Sequence, residues 1–550
     1  MLNYKRYKKN PVIDYPEREW PNKEITKAPI WCSVDLRDGN QALIDPMIVE
    51  EKVEMFNYLV KLGFKEIEVG FPAASQIEYD FLRQLIERKM IPDDVRVQVL
   101  TQCRKELIER TFESIEGCSQ AIVHIYNSTS TLQRDVVFHM NEDEIVNIAV
   151  EGTKMVKECA KDFPGKIILE YSPESFTGTE LPFALRICTE VQKTWGATKE
   201  NPIIINLPST VEMNTPNVYA DQIEWMNRHF EDRDSIILSV HPHNDRGTGV
   251  ASAELSLLAG ADRVEGTLFG NGERTGNVDV LNIAYNMFSQ GIDPQLNIEH
   301  INEIIEIYER CCKIPIHPRH PYAGKLVFTA FSGSHQDAIN KGVAAMKERK
   351  SEIWQVPYLP IDPADIGREY EPIVRINSQS GKGGVAFVMD TYFGFKLPKG
   401  MHKEFANVIQ KISEKQGEVY RIRSWSSSAN SIWIRKNRCI SESSRWTICP
   451  ERQSLSSIQG LLFFTQIMVW RSSLKQSETV LSMLYSVACR KKQVFASKFS
   501  ITKSMHCRVV LTLRLQLISI CWILMMAASH TALVSAVISQ ERLYVLSSQQ

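Results

Sequence analysis

Short β-branched runs alternate with longer amphipathic stretches from residue 29 to about 300, a pattern that predicts βα units and a parallel sheet. Eight such runs fit a closed (β/α)8 or TIM barrel better than an open sheet. The runs are IWCSVDL from Ile30, KEIEVGF from Lys65, VRVQVLT from Val95, QAIVHIY from Gln120, KIILEYS from Lys166, PIIINLP from Pro202, SIILSVH from Ser235 and DRVEGTLF from Asp262.

Polar residues follow nearly every run. In a parallel barrel all carboxyl ends of the strands meet at one face, where such barrels keep their active sites. We therefore expect a site built from DLRDGN, GFPAAS, EYSPES, NLPSTVE, HPHND and GNGERTGN.

The chain divides into four predicted segments. An N-terminal arm of residues 1–28 precedes the barrel of residues 29–305. Residues 306–419 contain helical stretches and a Gly-rich run, which predict a smaller α/β appendage that covers the barrel mouth or reaches a partner subunit. Residues 420–550 form a tail of different composition, for which we predict no defined fold.

The composition of the chain is 43% apolar and 23% charged, as in globular proteins. The cysteines before residue 420 have neither the paired spacing of a zinc site nor the density of a disulfide framework. The N-terminus lacks the apolar run of a secretory signal. These features predict a cytoplasmic protein with reduced thiols.

The metal-binding prediction starts from His241 and His243, which lie two residues apart at the end of the seventh run, so their imidazoles point the same way. An H-x-H pair alone is weak evidence. However, Asp38 ends the first run and Asn277 follows the eighth, its neighbour in a closed barrel. A carboxylate, two imidazoles and an amide oxygen suit Mg2+, Mn2+ or Zn2+.

Taken together, DLRDGNQALIDPM, EVGFP, NLPSTVE, HPHNDRGTGVA, GTLFGNGERTGN and SGSHQDAI resemble the motifs of the 2-isopropylmalate synthase family over about residues 20 to 419. The resemblance implies condensation of acetyl-CoA with the 2-oxoacid 3-methyl-2-oxobutanoate. Homocitrate and citramalate synthases share part of these motifs and differ in the acceptor. A non-catalytic metal-binding or nucleic-acid-associated protein is the alternative from another class.

The resemblance also implies ligands and cofactors. It makes Asp38, His241, His243 and Asn277 the ligands of a divalent metal ion, with Mg2+ preferred, and it allows a monovalent cation as an activator. It implies a homodimer as well. Neither a membrane nor a nucleic acid is expected as a partner.

Four further residues resemble substrate-site groups of the family. Arg37 would face the developing oxyanion or the substrate carboxylate, although a salt bridge at the barrel rim is the alternative. Thr210 resembles the hydroxyl that binds the 2-oxoacid carboxylate, and a helix N-cap at Ser209 or Thr210 is the alternative. Glu170 resembles an acidic group near the 2-oxoacid. His124 in the fourth run is a candidate substrate-binding residue, and a structural histidine is the alternative.

The base that removes a proton from the acetyl-CoA methyl group is predicted in the appendage. His335 in SGSHQDAI is the candidate because histidine exchanges protons near neutral pH, with Glu273 as its possible orienting partner. Tyr358 in VPYLP resembles a second appendage residue near the site. The sequence leaves open which subunit supplies these groups to a given barrel.

The resemblance stops near residue 419, where the family continues into a leucine-binding regulatory domain. Residues 420–550 hold 17 Lys and Arg, four Glu, no Asp, 25 Ser, one Gly and one Pro, a composition with almost no turn formers. We interpret this tail as the product of a frameshift. A basic nucleic-acid-binding extension, or a membrane anchor at residues 515–539, are the other interpretations.

Overall fold

The computed structural model describes residues 6, 10–330, 332–370, 402–403 and 406–407. Eight parallel strands form a closed barrel in which each strand pairs with the next along the chain and β8 pairs with β1. The predicted barrel is therefore confirmed. The strands are β1 Ile30–Ser33, β2 Glu66–Gly70, β3 Arg96–Gln102, β4 Gln120–Ser128, β5 Lys166–Glu174, β6 Ile203–Ser209, β7 Ile236–Pro242 and β8 Arg263–Gly266.

Helices follow the strands because the intervening sequences place apolar residues on one face and carry local start and stop signals. The helix Glu142–Lys161 between β4 and β5, for example, begins with a capping box between Asn141 and Glu144. The helices are α1 Val49–Leu62, α2 Gln76–Glu87, α3 Lys105–Ile115, α4 Thr131–Gln133, α5 Glu142–Lys161, α6 Leu181–Trp195, α7 Pro216–His229, α8 Gly249–Leu258, α9 Val280–Ser289, α10 Ile301–Cys312 and α11 Gly333–Arg349.

The main apolar core lies between the strands and the surrounding helices, where residues such as Phe56 and Ile67 are fully buried. A second, smaller apolar cluster is formed by Ile122, Ile168 and Ile204, which lie near the starts of β4, β5 and β6. Each of these isoleucines is followed two residues later by a polar residue on the same side of its strand. The barrel interior therefore changes from apolar to polar along the strands.

A charged group inside the barrel, which we call the Arg263 cluster, consists of Arg263, Glu66, Glu265 and Gln98. The Arg263 guanidinium is completely buried and contacts Glu66 at 2.5 Å, Glu265 at 2.8 Å and the Gln98 side-chain oxygen at 2.7 Å. Barrel interiors are usually filled by branched apolar side chains. Here ion pairs and hydrogen bonds occupy that space, because a buried charge must be paired.

Helix α10 packs against α1 on the outside of the barrel, where Lys61 pairs with Glu303 and Arg310 pairs with Glu54. The boundary that we predicted at residue 305 therefore falls within a helix. In the described part of residues 306–419, α11 is followed by loops and a short 3-10 helix at Pro363–Ile366. No strand occurs in the described part of this segment, so the β component of the predicted α/β appendage stays a prediction.

The N-terminal arm lies against α7. Arg18 and the Trp20 indole both donate hydrogen bonds to Asp221, and the Glu19 backbone N–H donates to Glu224. Both acceptors are buried, so the arm supplies the partners that these carboxylates need.

None of the helices in the described ranges is long and apolar enough to cross a membrane. The tail, including the candidate span at residues 515–539, lies outside those ranges. Its interpretation as a frameshift product stays a prediction.

Candidate active site and metal centre

A cavity of about 310 Å3 opens at the carboxyl ends of the barrel strands. A larger cavity of about 980 Å3 lies at the opposite end among groups such as Lys65 and Arg96, and it contains none of the predicted site residues. The smaller cavity is therefore the candidate site. It is lined by Arg37, Asp38, Gln41, Phe71, Leu100, His124, Tyr126, Ser172, Glu174, Asn206, Pro208, Thr210, His241, His243, Glu273 and Arg274.

The predicted metal ligands converge at the edge of this cavity. The Asp38 Oδ2 atom lies 3.3 Å from His241 Nε2 and 3.7 Å from His243 Nε2, and Asn277 Oδ1 lies 2.8 Å from His241 Nε2. All three ionisable ligands are buried. Asp38 Oδ2 has no hydrogen-bond partner among the described residues, so it is an acceptor free to bind a cation. These donors fit a divalent metal ion.

The electrostatics of the site keep Asp38 ionised and favour a second proton on His241 but not on His243. Burial opposes ionisation of Asp38, but Arg37 and His241 outweigh it and hold the pKa of the carboxyl well below its usual range. Burial likewise opposes a charge on His241, yet contacts with Asp38 and Glu265 raise its pKa to about 10. Burial and the neighbouring His241 lower the pKa of His243 to about 4. A metal ion would displace the proton that His241 otherwise attracts.

Asn277 is positioned by the GNGERTGN loop. The loop folds back so that Asn277 forms an antiparallel bridge with His243, and its side-chain N–H2 donates to the Asn271 carbonyl. Gly276 adopts φ 97°, and a Cβ atom there would lie 1.9 Å from the Gly270 carbonyl oxygen. Only glycine permits that approach. The loop therefore holds the Asn277 amide oxygen beside His241, 2.8 Å from its Nε2 atom.

Arg37 lines the cavity and is also ion-paired, so both interpretations of this residue describe part of its environment. It lies in a π-helical turn, Asp35–Gly39, directly after β1. Its guanidinium contacts Glu68 at 2.5 Å and Asp38 at 3.2 Å. Burial opposes ionisation of Glu68, but Arg37 and His124 lower the pKa of that carboxyl. Two carboxylates thus fix the guanidinium toward the cavity.

His124 and Thr210 both line the cavity, as their predicted roles require. The His124 ring contacts Glu68 at 3.0 Å and the Ser172 hydroxyl at 2.8 Å, which fixes its orientation. The Thr210 hydroxyl accepts a hydrogen bond from the Ser175 backbone N–H at 2.9 Å and keeps its own proton to donate. The helix-cap interpretation of Thr210 is wrong, because α7 begins after Thr215.

Glu170 does not line the cavity, so its predicted position beside the 2-oxoacid is wrong. It is completely buried in β5, 3.5 Å from both Arg263 and His124. Burial and the neighbouring Glu265 raise the pKa of Glu170 well above its usual range. Glu174, four residues further along the same strand, lines the cavity instead. Both carboxylates lie on the same side of the strand, so the error concerned depth along the barrel.

Within one chain, the predicted appendage residues do not reach the cavity at the barrel mouth. His335 on α11 stacks on Tyr358 with ring centroids 4.1 Å apart, and neither lines the cavity. Glu273 lines it and accepts a hydrogen bond from Gln41 at 2.9 Å, so the described contacts do not pair it with His335. Within one chain, the predicted base and its orienting partner are therefore apart.

Sequence reasoning missed several residues that contact the site. Glu68 binds Arg37 and His124, Glu265 binds His241 at 2.7 Å, and Tyr126 lines the cavity. Each lies inside a predicted strand rather than after it. For Glu68 and Glu265, an acidic residue next to apolar residues within a β-run was the available signal, because such a residue must face a polar interior.

Comparisons with known proteins identify the family of this chain. The HMGL-like family model matches residues 28–307, and the alpha-isopropylmalate synthase post-catalytic domain-like model matches residues 325–390. The 2-isopropylmalate synthase of Clostridium acetobutylicum is 61% identical over 415 residues, which cover 75% of this chain and 74% of that protein. The chain belongs to the 2-isopropylmalate synthase family. The resemblance stated from its motifs is thereby confirmed.

Other members of the family are similar to the same extent. The 2-isopropylmalate synthase of Rhodospirillum rubrum is 60% identical over 416 residues, or 75% of each chain. Among solved structures, the HMG-CoA lyase from Brucella melitensis matches 52% of this chain and 100% of its own length, with 16% identity and a TM-score of 0.43.

We predict that Gly276→Ala disables this synthase without unfolding it. The added methyl group must displace the loop that carries Asn277, and a displacement of about 1 Å at a catalytic centre can cost about 100-fold in turnover. Gly291→Ala is the control, because its φ of 76° is similar but no atom lies within 4 Å of its Cβ position. Equal turnover in the two variants, measured at saturating metal, would contradict this prediction.

Proposed function

We propose that Asp38, His241, His243 and Asn277 hold the divalent metal ion with which this synthase condenses acetyl-CoA and 3-methyl-2-oxobutanoate. The products are 2-isopropylmalate and CoA, and one water is consumed in hydrolysing the thioester. The convergence of the three buried ionisable ligands within 4.8 Å of one another is the observation that carries the proposal. When bound, the ion would polarise the 2-oxo group of the acceptor.

The ligand set supports a divalent ion without selecting one. Carboxylate and amide oxygens suit Mg2+, whereas two imidazoles also suit Mn2+ and Zn2+. We propose Mg2+, following the resemblance to the family. A monovalent activator stays a prediction.

The cavity residues bind and orient the acceptor. We propose that the Thr210 hydroxyl donates to the carboxylate of the 2-oxoacid. Arg37, held by its two carboxylate partners, faces the oxygen on which negative charge develops as the carbon–carbon bond forms. Leu100 and Pro208 supply an apolar wall for the branched side chain. His124 adds a fixed polar group beside it.

The proton of the acetyl methyl group needs a base, and we propose that His335 accepts it with Tyr358 beside it. Because neither residue lines the cavity of its own chain, we propose a homodimer in which each appendage serves the partner's barrel. Tyr358 is 63% exposed, so the stacked pair is accessible to such a partner. Glu273, at the cavity rim, would then orient the arriving imidazole.

The proposal places the enzyme in the cytoplasm. All seven cysteines among the described residues are free, as expected for a reducing compartment. Its substrates are an acyl-CoA and a 2-oxoacid.

Release of free CoA thiol from acetyl-CoA, assayed with a panel of 2-oxoacids, tests the function. We expect 3-methyl-2-oxobutanoate to give the highest kcat/KM. A preference for 2-oxoglutarate or pyruvate would reassign the chain to homocitrate or citramalate synthesis. No thiol release by folded, metal-loaded protein with any acceptor would favour a non-catalytic metal-binding protein.

We predict that Asp38→Ala and His243→Ala each abolish turnover and lower bound metal. Either change leaves the ion with too few protein ligands, and losing its polarising charge should cost several kcal/mol, well over about 100-fold in rate. Asp80→Ala and His229→Ala, at exposed positions on α2 and α7, are matched controls. A variant that kept more than about a tenth of native turnover would remove that residue from the ligand set.

His335→Ala should lower turnover by about 100-fold or more, because proton transfer by a positioned base contributes about 100- to 10,000-fold. Metal content, measured by elemental analysis, should stay unchanged. A variant that lost its metal would show that His335 belongs to the metal centre rather than to proton transfer.

Mixing the inactive His335→Ala and His243→Ala chains tests the exchange of appendages between subunits. In a mixed dimer, the barrel with intact ligands would receive an intact His335 from its partner, and turnover should return. If each appendage served its own barrel, every site in the mixture would lack one group and no activity would return.

A further inference from the structure

Glu265 contacts the proposed metal ligand His241 on the side of the imidazole ring that faces the barrel interior. It lies in β8, is completely buried, and its Oε2 atom is 2.7 Å from His241 Nδ1. The other ring nitrogen, His241 Nε2, faces Asp38 and Asn277. One imidazole therefore joins the interior of the barrel to the metal centre.

The carboxylate of Glu265 is itself held in one orientation. Its Oε1 atom accepts hydrogen bonds from Arg263 Nη1 at 2.8 Å and from Gln98 Nε2 at 2.9 Å. Its Oε2 atom accepts a second bond from Asn206 Nδ2 at 3.2 Å. Three donors from different strands thus fix the oxygen that His241 meets.

We propose that Glu265 is a positioning residue that sets which nitrogen of His241 binds metal. This inference rests on the proposed metal centre. A carboxylate 2.7 Å from Nδ1 can only accept a hydrogen bond, so it retains the imidazole proton on Nδ1. The lone pair then resides on Nε2, directed at the ligand atoms of Asp38 and Asn277, and ring rotation is prevented.

The imidazole of His243 is held differently from that of His241. Its Nδ1 atom is buried without a hydrogen-bond partner among the described residues. Its position follows from the backbone bridge to Asn277 instead. Of the two imidazoles, His241 is therefore the one oriented in advance by a carboxylate.

The structure specifies what a Glu265→Gln substitution would do. Arg263 and Gln98 both donate to the Oε1 position, so the glutamine oxygen must occupy it. The amide nitrogen is then placed opposite His241 Nδ1 and donates to it. The imidazole must accept there, its proton moves to Nε2, and the lone pair for the metal is lost.

The affinity of each variant for Mn2+, measured by electron paramagnetic resonance titration, tests this inference without using activity. Glu265→Gln should bind Mn2+ about 10- to 100-fold more weakly than the native enzyme. Glu66→Gln is the matched control, because Glu66 pairs with the same Arg263 at 2.5 Å but the described contacts do not join it to His241. Its Mn2+ affinity should stay within about threefold of native.

Glu265→Asp is the second variant, for use if Glu265→Gln does not fold. It keeps the negative charge beside Arg263 but withdraws the oxygens from His241 by one methylene group, so Mn2+ affinity should again fall. Native affinity in the folded variants, or equal losses in Glu265→Gln and Glu66→Gln, would overturn the inference. Failure of the native enzyme itself to bind Mn2+ would instead contradict the proposed metal centre.

Discussion

The buried guanidinium of Arg263 is the group on which the interior of the barrel depends. Removing such a charge from water is costly, and it is tolerated only with close, hydrogen-bonded partners. Glu66 and Glu265 provide those partners, and Gln98 accepts a third bond. Loss of one partner of a buried ion pair typically costs about 3–5 kcal/mol, so these residues constrain one another strongly.

Two chains of side-chain contacts connect Arg263 to the cavity. One passes through Glu265 to His241, and the other passes through the Gln98 amide to Glu68 and from there to Arg37. Each step is a direct side-chain contact. His241 and Arg37 are therefore oriented by the barrel interior, whereas the segments that follow the strands supply Asp38, His243, Asn277 and the residues of the cavity rim.

The sequence predicted all eight strands and the residues that follow them, because short β-branched runs and polar strand ends are local signals. Depth inside the barrel is not local. Glu170 and Glu174 share one side of β5, and only strand stagger decides which of them reaches the cavity. Glu265 was missed because its role depends on a neighbouring strand. The placement of His335 depends on how α11 packs, which no motif in the chain specifies.

The pairing of β1 with β8 determines when, during translation, the proposed metal site can form. Asp38 follows the first strand and Asn277 follows the last, and they become neighbours only because those two strands pair. A ribosome must therefore finish almost the whole barrel before the four proposed ligands can meet. An incomplete nascent chain holds at most part of this proposed ligand set, so the complete set would be offered to an ion only by a polypeptide that has already closed its sheet.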